Sequence, residues 1–255
     1  MPTKIEWCKN TDGTMGETWN PVTGCSPISA GCAHCYAKRM ATRLAGRCGY
    51  PADNPFRVTL HPERFDQPLK WAKPRRIFVC SMGDLFHPDV PANAITYLFE
   101  VMAYHKRHTF IVLTKRPERM ASVLFGSDGD WFMGGGDYYE NIWLGVTAEN
   151  QAAVDSRIPV LLNTWMGTTF VSAEPLLSAM DLTPWISRDP YYGLSWVVTG
   201  AETGPGARPM DPAWARSLRD QCEYTGTPFF FKKMTGGTPI PDDLMIRQWP
   251  GERNE

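Results

Sequence analysis

The strongest constraint on the fold is a repeated alternation of short apolar runs with helix-like stretches. Residues 76–80, Arg-Ile-Phe-Val-Cys, lie between Pro74 and Gly83 and have the β-branched character of a buried strand. Beyond Pro91, Ile95, Leu98, Phe99 and Met102 recur at i, i+3, i+4 and i+7, the stripe of a helix face. Residues 109–113 form the next strand, and Pro117 opens a short helix to about Leu124. Strand 142–146 leads into a helix from Gln151 to about Leu162, followed by strands at 169–172 and 195–199. A helix from Pro212 to about Tyr224 precedes the run 228–231. One more strand near 18–23 brings the pattern to about seven βα units. Strands that are apolar throughout are covered on both faces, and strand–helix alternation joins parallel strands by crossovers. The expectation is an α/β fold: a (β/α) barrel, complete or partial and TIM-barrel-like, with parallel strands and outer helices. An open doubly wound sheet is the alternative, but no G-x-G-x-x-G follows the first strand.

At 255 residues the chain suits one large domain, taken as 1–255. A Gly-rich insertion at 126–140 and an irregular tail at 233–255 interrupt the pattern. Lys+Arg (26) and Asp+Glu (27) nearly cancel, which excludes coating of nucleic acid by bulk charge and leaves local basic patches open. The apolar runs are too short for a transmembrane helix, so no membrane partner is expected. Glu6 stands where a signal peptide would need an apolar core, and a cytoplasmic location is the expectation.

Three of the seven cysteines cluster in Cys25-Ser-Pro-Ile-Ser-Ala-Gly-Cys32-Ala-His-Cys35-Tyr36, spaced C-x6-C-x2-C after a strand and before a helix. Gly24 and Gly31 let the backbone fold tightly enough for three sulfurs to converge. Three thiolates suit soft metals, either zinc or an iron–sulfur cluster. Structural zinc wants a fourth ligand, and His34, next to Cys35, is poorly placed to supply it. Three ligands without a clear fourth fit a [4Fe-4S] cluster with one open iron. Cys8, Cys48, Cys80 and Cys222 are isolated and read as small core residues. Cys80 ends a strand beside Asp84 and is also a candidate catalytic hydrogen-atom donor.

Barrel active sites lie at the C-terminal ends of the strands. The polar residues there are Ser81 and Asp84, Lys115, Thr147 and Glu149, Glu174, and Gly200 with Glu202. Carboxylates suit amino groups and ribose hydroxyls, and Lys or hydroxyl groups suit a carboxylate. The plain alternative is that these carboxylates pair with basic residues for structure. Lys73-Pro-Arg75-Arg76, Lys115-Arg116 and Lys232-Lys233 keep a nucleotide or nucleic-acid substrate open.

The cysteine motif resembles the radical S-adenosylmethionine superfamily, whose three cysteines follow the first barrel strand. The common spacing there is C-x3-C-x2-C with an aromatic near the last Cys. Here the first gap is six residues and Tyr36 is the aromatic. Residues 109–115 resemble the spore photoproduct lyase branch. Trp19-Asn-Pro-Val-Thr-Gly-Cys25, Leu113-Thr-Lys-Arg-Pro-Glu-Arg119, Val171-Ser-Ala-Glu-Pro-Leu-Leu177 and Gly204-Pro-Gly-Ala-Arg-Pro209 are similar to a phage-associated protein family. The resemblance implies that Cys25, Cys32 and Cys35 hold three irons and that the fourth binds S-adenosyl-L-methionine. An external electron donor would then drive its reductive cleavage, and the resulting radical would take hydrogen from a substrate. Ser81 and Asp84 would face the cosubstrate's amino group, and Lys115, Thr147 and Glu149 its carboxylate and ribose. Glu174 and Glu202 would serve either cosubstrate or substrate. Two other readings stand beside this one: a zinc-stapled nucleic-acid-binding module without catalysis, and a barrel hydrolase or lyase using Glu149, Glu174 and Glu202 as acid and base.

Overall fold

Each apolar run becomes a strand within a residue or two of its expected bounds in the structure, a computed structural model that describes residues 3, 5–126, 139–189 and 192–252. The elements are β1 (Glu17–Trp19), β2 (Val22–Thr23), α1 (Tyr36–Arg43), β3 (Thr59–Leu60), β4 (Arg76–Val79), α2 (Ala92–Tyr104) and β5 (Thr109–Thr114). They continue as α3 (Pro117–Phe125), β6 (Ile142–Thr147), α4 (Gln151–Thr164), β7 (Thr169–Ala173), β8 (Trp196–Thr199), α5 (Pro212–Thr225) and β9 (Phe229–Phe231). Seven strands form one open parallel sheet in the order β1-β4-β5-β6-β7-β8-β9, the arrangement of a partial (β/α) barrel. Trp19 pairs with Val79, Val79 with Val112, Ala173 with Thr199, and Thr199 with Phe231.

Burial explains the strand composition. Residues 142–147, 169–173, 196–199 and 229–231 are buried at every position, so alternation of polar and apolar residues is absent. The stripe of α2 is confirmed, with Ile95, Leu98, Phe99 and Met102 all buried. Capping sets the ends of α4 and α5. The side chains of Asn150 and Asp211 accept from the N–H groups of Ala153 (3.0 Å) and Ala213 (2.8 Å). Gly226, at φ 76°, closes α5 in the left-handed conformation.

The expected strand near 18–23 is split. Asn20-Pro21 interrupts it, because proline brings no N–H to a ladder. Val22 and Thr23 instead pair antiparallel with Leu60 and Thr59. The helix that follows the cysteine motif stops at Arg43, with a turn through Gly46 at φ +72°.

By internal contacts the chain forms two compact units. The first comprises Met1–Ile28 and Cys35–Leu144, and the second Ser29–His34 and Gly145–Glu255. Most of the Gly-rich insertion, 127–138, lies outside the described residues. In the tail, the N–H of Phe231 donates to Ile246 O (3.1 Å), and the indole N–H of Trp196 donates to Gln248 O (2.8 Å). The tail thus covers the β9 edge, which would otherwise offer unpaired backbone groups. Among the described residues no helix is long and apolar enough to cross a membrane.

Gly145 shows how tightly the sheet packs. A Cβ there would stand 2.5 Å from two ring carbons of Phe170, which is fully buried. Gly145→Ala is therefore expected to destabilise the protein by about 1–3 kcal/mol through overpacking. Thermal melting would read this, and an unchanged midpoint would mean that the Phe170 ring yields freely.

Candidate functional site

In the first unit the ends of β4 and β5 build a buried charge network beside Cys25. Asp84 Oδ1 accepts from the Thr114 hydroxyl (2.7 Å) and the Phe86 N–H (3.0 Å). Asp84 Oδ2 accepts from Arg116 Nη1 (2.9 Å) and the Lys115 N–H (3.2 Å). Four donors fill both lone pairs on each oxygen, so this carboxylate is saturated internally. The Arg116 guanidinium, fixed by Asp84, donates to Cys25 Sγ (3.4 Å), Ser26 O (2.9 Å) and Ser26 Oγ (3.2 Å). The charges of Asp84 and Cys25 hold the Arg116 pKa above its ordinary value despite burial.

His87 completes the network. Its Nδ1 accepts the Asp89 N–H (3.1 Å), so Nε2 carries the proton that meets Ser26 Oγ at 2.7 Å. Burial, and then the charge of Arg116, lower the His87 pKa, which favours this neutral form. Ser81 is engaged nearby, donating to Asn20 Oδ1 (3.2 Å). Cys80 is buried at φ +55°, and desolvation pushes its thiol up to about 12. It therefore keeps its S–H bond at neutral pH rather than ionising.

In the second unit Glu202 grips Arg208 in a fork. Oε2 accepts from Arg208 Nε (2.9 Å) and the Arg208 N–H (2.8 Å), and Oε1 from Nη2 (2.5 Å). The same Nη2 donates to Ala30 O (2.9 Å), which anchors the 3-10 turn Ala30–Cys32. The Ser29 hydroxyl lies 3.7 Å from Cys32 Sγ. Gly206, at φ +73°, lets His34 pack close, since a Cβ there would be 3.1 Å from the ring. Glu149 pairs with Arg157 (3.0 Å), whose Nη1 also donates to Thr147 O (2.8 Å). Glu174 pairs with Lys232, and a Cβ at Gly200 would stand 3.1 Å from the Lys232 Cβ.

The strand-end carboxylates thus each hold a basic partner: Asp84 with Arg116, Glu149 with Arg157, Glu174 with Lys232, and Glu202 with Arg208. The pairing with basic residues raised as the plain alternative in the sequence is present at all four. It also weakens the acid–base reading, because the Arg208 hydrogen bonds lower the Glu202 pKa whereas a general acid needs a raised one. The basic groups are similarly engaged: Arg75 with Glu17, and Arg76 with the carbonyl of Lys9. Ser26, His87 and Arg208 were not among the sequence candidates, and Arg116 was one only as half of the basic pair Lys115-Arg116. The Arg116–Asp84 pair is 32 residues apart, and only the adjacency of β4 and β5 joins it.

The donor set fits a thiolate-bound metal group in kind. Cys25, Cys32 and Cys35 are half-buried, none is in a disulfide, and a guanidinium donates to one sulfur. Gathering is a separate matter. Among the described residues no group of three or more His, Cys, Asp or Glu side chains stands close enough to hold a metal ion.

Glu202 makes a pH prediction. Its pKa is lowered from an ordinary 4.5, so the stabilisation it gives is full above that value and is lost as pH falls through the folded-state value. The gap in melting temperature between wild type and Glu202→Gln should be widest near neutral pH and close in acid. A gap that stays constant from neutral to strongly acid pH would refute the linkage.

A family model described as protein of unknown function (DUF5131) matches residues 2–245. No curated protein sequence matches the chain. Two solved structures are similar to it. One, a mutant of spore photoproduct lyase, has a TM-score of 0.48 and 9% identity, covering 89% of this chain and 79% of that one. The other, spore photoproduct lyase complexed with dinucleoside spore photoproduct, has a TM-score of 0.44 and 10% identity, covering 86% and 64%.

Proposed function

For a chain that belongs to the family described as protein of unknown function (DUF5131), we propose a radical S-adenosylmethionine enzyme whose [4Fe-4S] cluster is held by Cys25, Cys32 and Cys35. The observation that carries the reading is the Arg116 guanidinium, fixed by a saturated Asp84 and aimed at the sulfur of Cys25. A cation held against a half-buried sulfur favours the thiolate that metal binding needs. The C-x6-C-x2-C spacing and Tyr36 support it from the sequence.

When bound, such a cluster supplies the single electron that cleaves S-adenosylmethionine, and with it the means to abstract hydrogen from a substrate. The chain's own residues bind and position. Arg116 offsets negative charge at Cys25, and Asp84 fixes the direction of the guanidinium. Arg116 holds the Ser26 carbonyl and His87 the Ser26 hydroxyl beside that cysteine. Glu202 and Arg208 hold the Ala30 carbonyl and so the turn that ends in Cys32. Ser81, Lys115 and Thr147 are candidates to meet the cosubstrate's amino, carboxylate and hydroxyl groups. Cys80, kept as a thiol, is the candidate hydrogen-atom donor. An external reductant completes the requirement.

Anaerobic reconstitution with iron and sulfide tests the proposal. The expected product is brown, absorbs near ~400 nm, holds about four irons per chain and forms 5′-deoxyadenosine under reduction. A colourless protein with one tightly held zinc would overturn it and favour the zinc-stapled reading.

A further inference from the structure

From Thr18 to Ala52 the sequence contains no Asp or Glu, yet it carries Lys38, Arg39, Arg43 and Arg47 on or just after α1. The helix is strongly two-sided. Ala41 is fully buried, and Ala37, Met40 and Leu44 pack with it against Tyr50, Met82 and Phe56. The opposite side puts Lys38, Thr42 and Arg43 in solvent, with Arg47 exposed in the following turn. Arg39 and Arg43 stand at i and i+4 on one row of the helix surface, and Arg47 lies in the turn beyond it. Among the described residues Lys38, Arg43 and Arg47 make no ion pair. Arg43 reaches only Met40 Sδ (3.9 Å), and Arg47 donates to Arg43 O (2.5 Å). Arg75, Arg116, Arg157 and Arg208, in contrast, are each neutralised by a carboxylate.

We propose that this face of α1 binds single-stranded nucleic acid, its exposed cations on the phosphates and Tyr36 on a base. With a net charge of -1 the molecule has no bulk attraction for polyanions, so binding of one needs a local cluster of cations such as this. Guanidinium forks match phosphate oxygens in pairs. Tyr36, 59% exposed in the first turn of the same helix, offers a ring on which a base can stack. A lipid surface would need a row of apolar side chains to insert, and the exposed side of α1 has none beyond Tyr36. The proposal stands apart from the cluster, because phosphate binding needs no iron.

The test is fluorescence anisotropy of the full chain with labelled single-stranded DNA and RNA, across a salt series. Duplex DNA and anionic vesicles serve as comparison arms. Wild type should bind one or both single strands, the two arms separating DNA from RNA. Lys38→Gln/Arg43→Gln/Arg47→Gln should lower affinity roughly tenfold or more and reduce the salt slope by about 2, from three lost phosphate contacts. Arg43→Lys keeps the charge and should retain the slope, which guards against a folding artefact. Tyr36→Ala should weaken binding by roughly fivefold or more with the slope unchanged. The control Arg216→Gln, whose cation pairs with Asp243, should bind as wild type. Iron content is measured alongside, so a failed cluster and a failed binding face are told apart. The proposal is overturned if the triple variant binds as wild type or if the control falls equally. Tighter binding of duplex or vesicles than of either single strand would also overturn it.

Discussion

Cys32→Ala is expected to lose the absorbance near ~400 nm, most of the iron and all 5′-deoxyadenosine formation while remaining folded. The residue is half-buried in a short 3-10 turn, where the Ser29 hydroxyl lies 3.7 Å from its sulfur. Removing one half-buried thiol costs the fold about 0.5 kcal/mol. A cluster left with two thiolates does not persist through turnover. The two effects therefore separate: far-ultraviolet circular dichroism stays, and colour and iron go. Cys48→Ala is the matched control. Cys48 is exposed and sits at φ 53°, a backbone position that alanine occupies with the same strain. It should keep full iron and full cleavage. Equal iron in both variants would remove Cys32 from the ligand set and, with it, the proposed cluster.

Asp84→Ala should be the most destabilising of these substitutions, by about 3–5 kcal/mol. It leaves the buried Arg116 charge without its counterion, and two N–H groups and a hydroxyl lose their acceptor. For a chain of this size the melting point should fall by roughly 10 °C. Asp84→Asn should cost less, since an amide oxygen still accepts while the charge is lost. If Asp84→Ala melts with wild type, the guanidinium is satisfied elsewhere and Asp84 does not position it. Because Arg116 is the group that reaches Cys25, both variants should also retain less iron than wild type on the proposed reading.

The strands at 76–79, 109–114, 142–147, 169–173 and 196–199 were legible because a strand covered on both faces must be apolar along its length. The α2 face was legible because one buried stripe enforces a helical period. The thiol motif was legible because its spacing lies within eleven consecutive residues. The distances between its sulfurs were not, since spacing bounds a distance without setting it. The β2–β3 pairing escaped because a two-residue strand carries no period.

What the strand-end carboxylates do was decided by tertiary structure. The sequence marked Asp84, Glu149, Glu174 and Glu202 as one set at one kind of position, without their partners. Glu174 meets Lys232 from 58 residues away, and Asp84 meets Arg116 from 32. A charge has no periodicity, and its pairing depends on which strands become neighbours. The sequence by itself determined the order of strands and helices and the three-thiol loop, because burial and local spacing act along the chain. Only the tertiary structure decided that Arg116 turns toward Cys25 and that every one of those carboxylates is already held. Desolvation penalises a buried unpaired charge, and the partner that relieves it can come from anywhere in the fold.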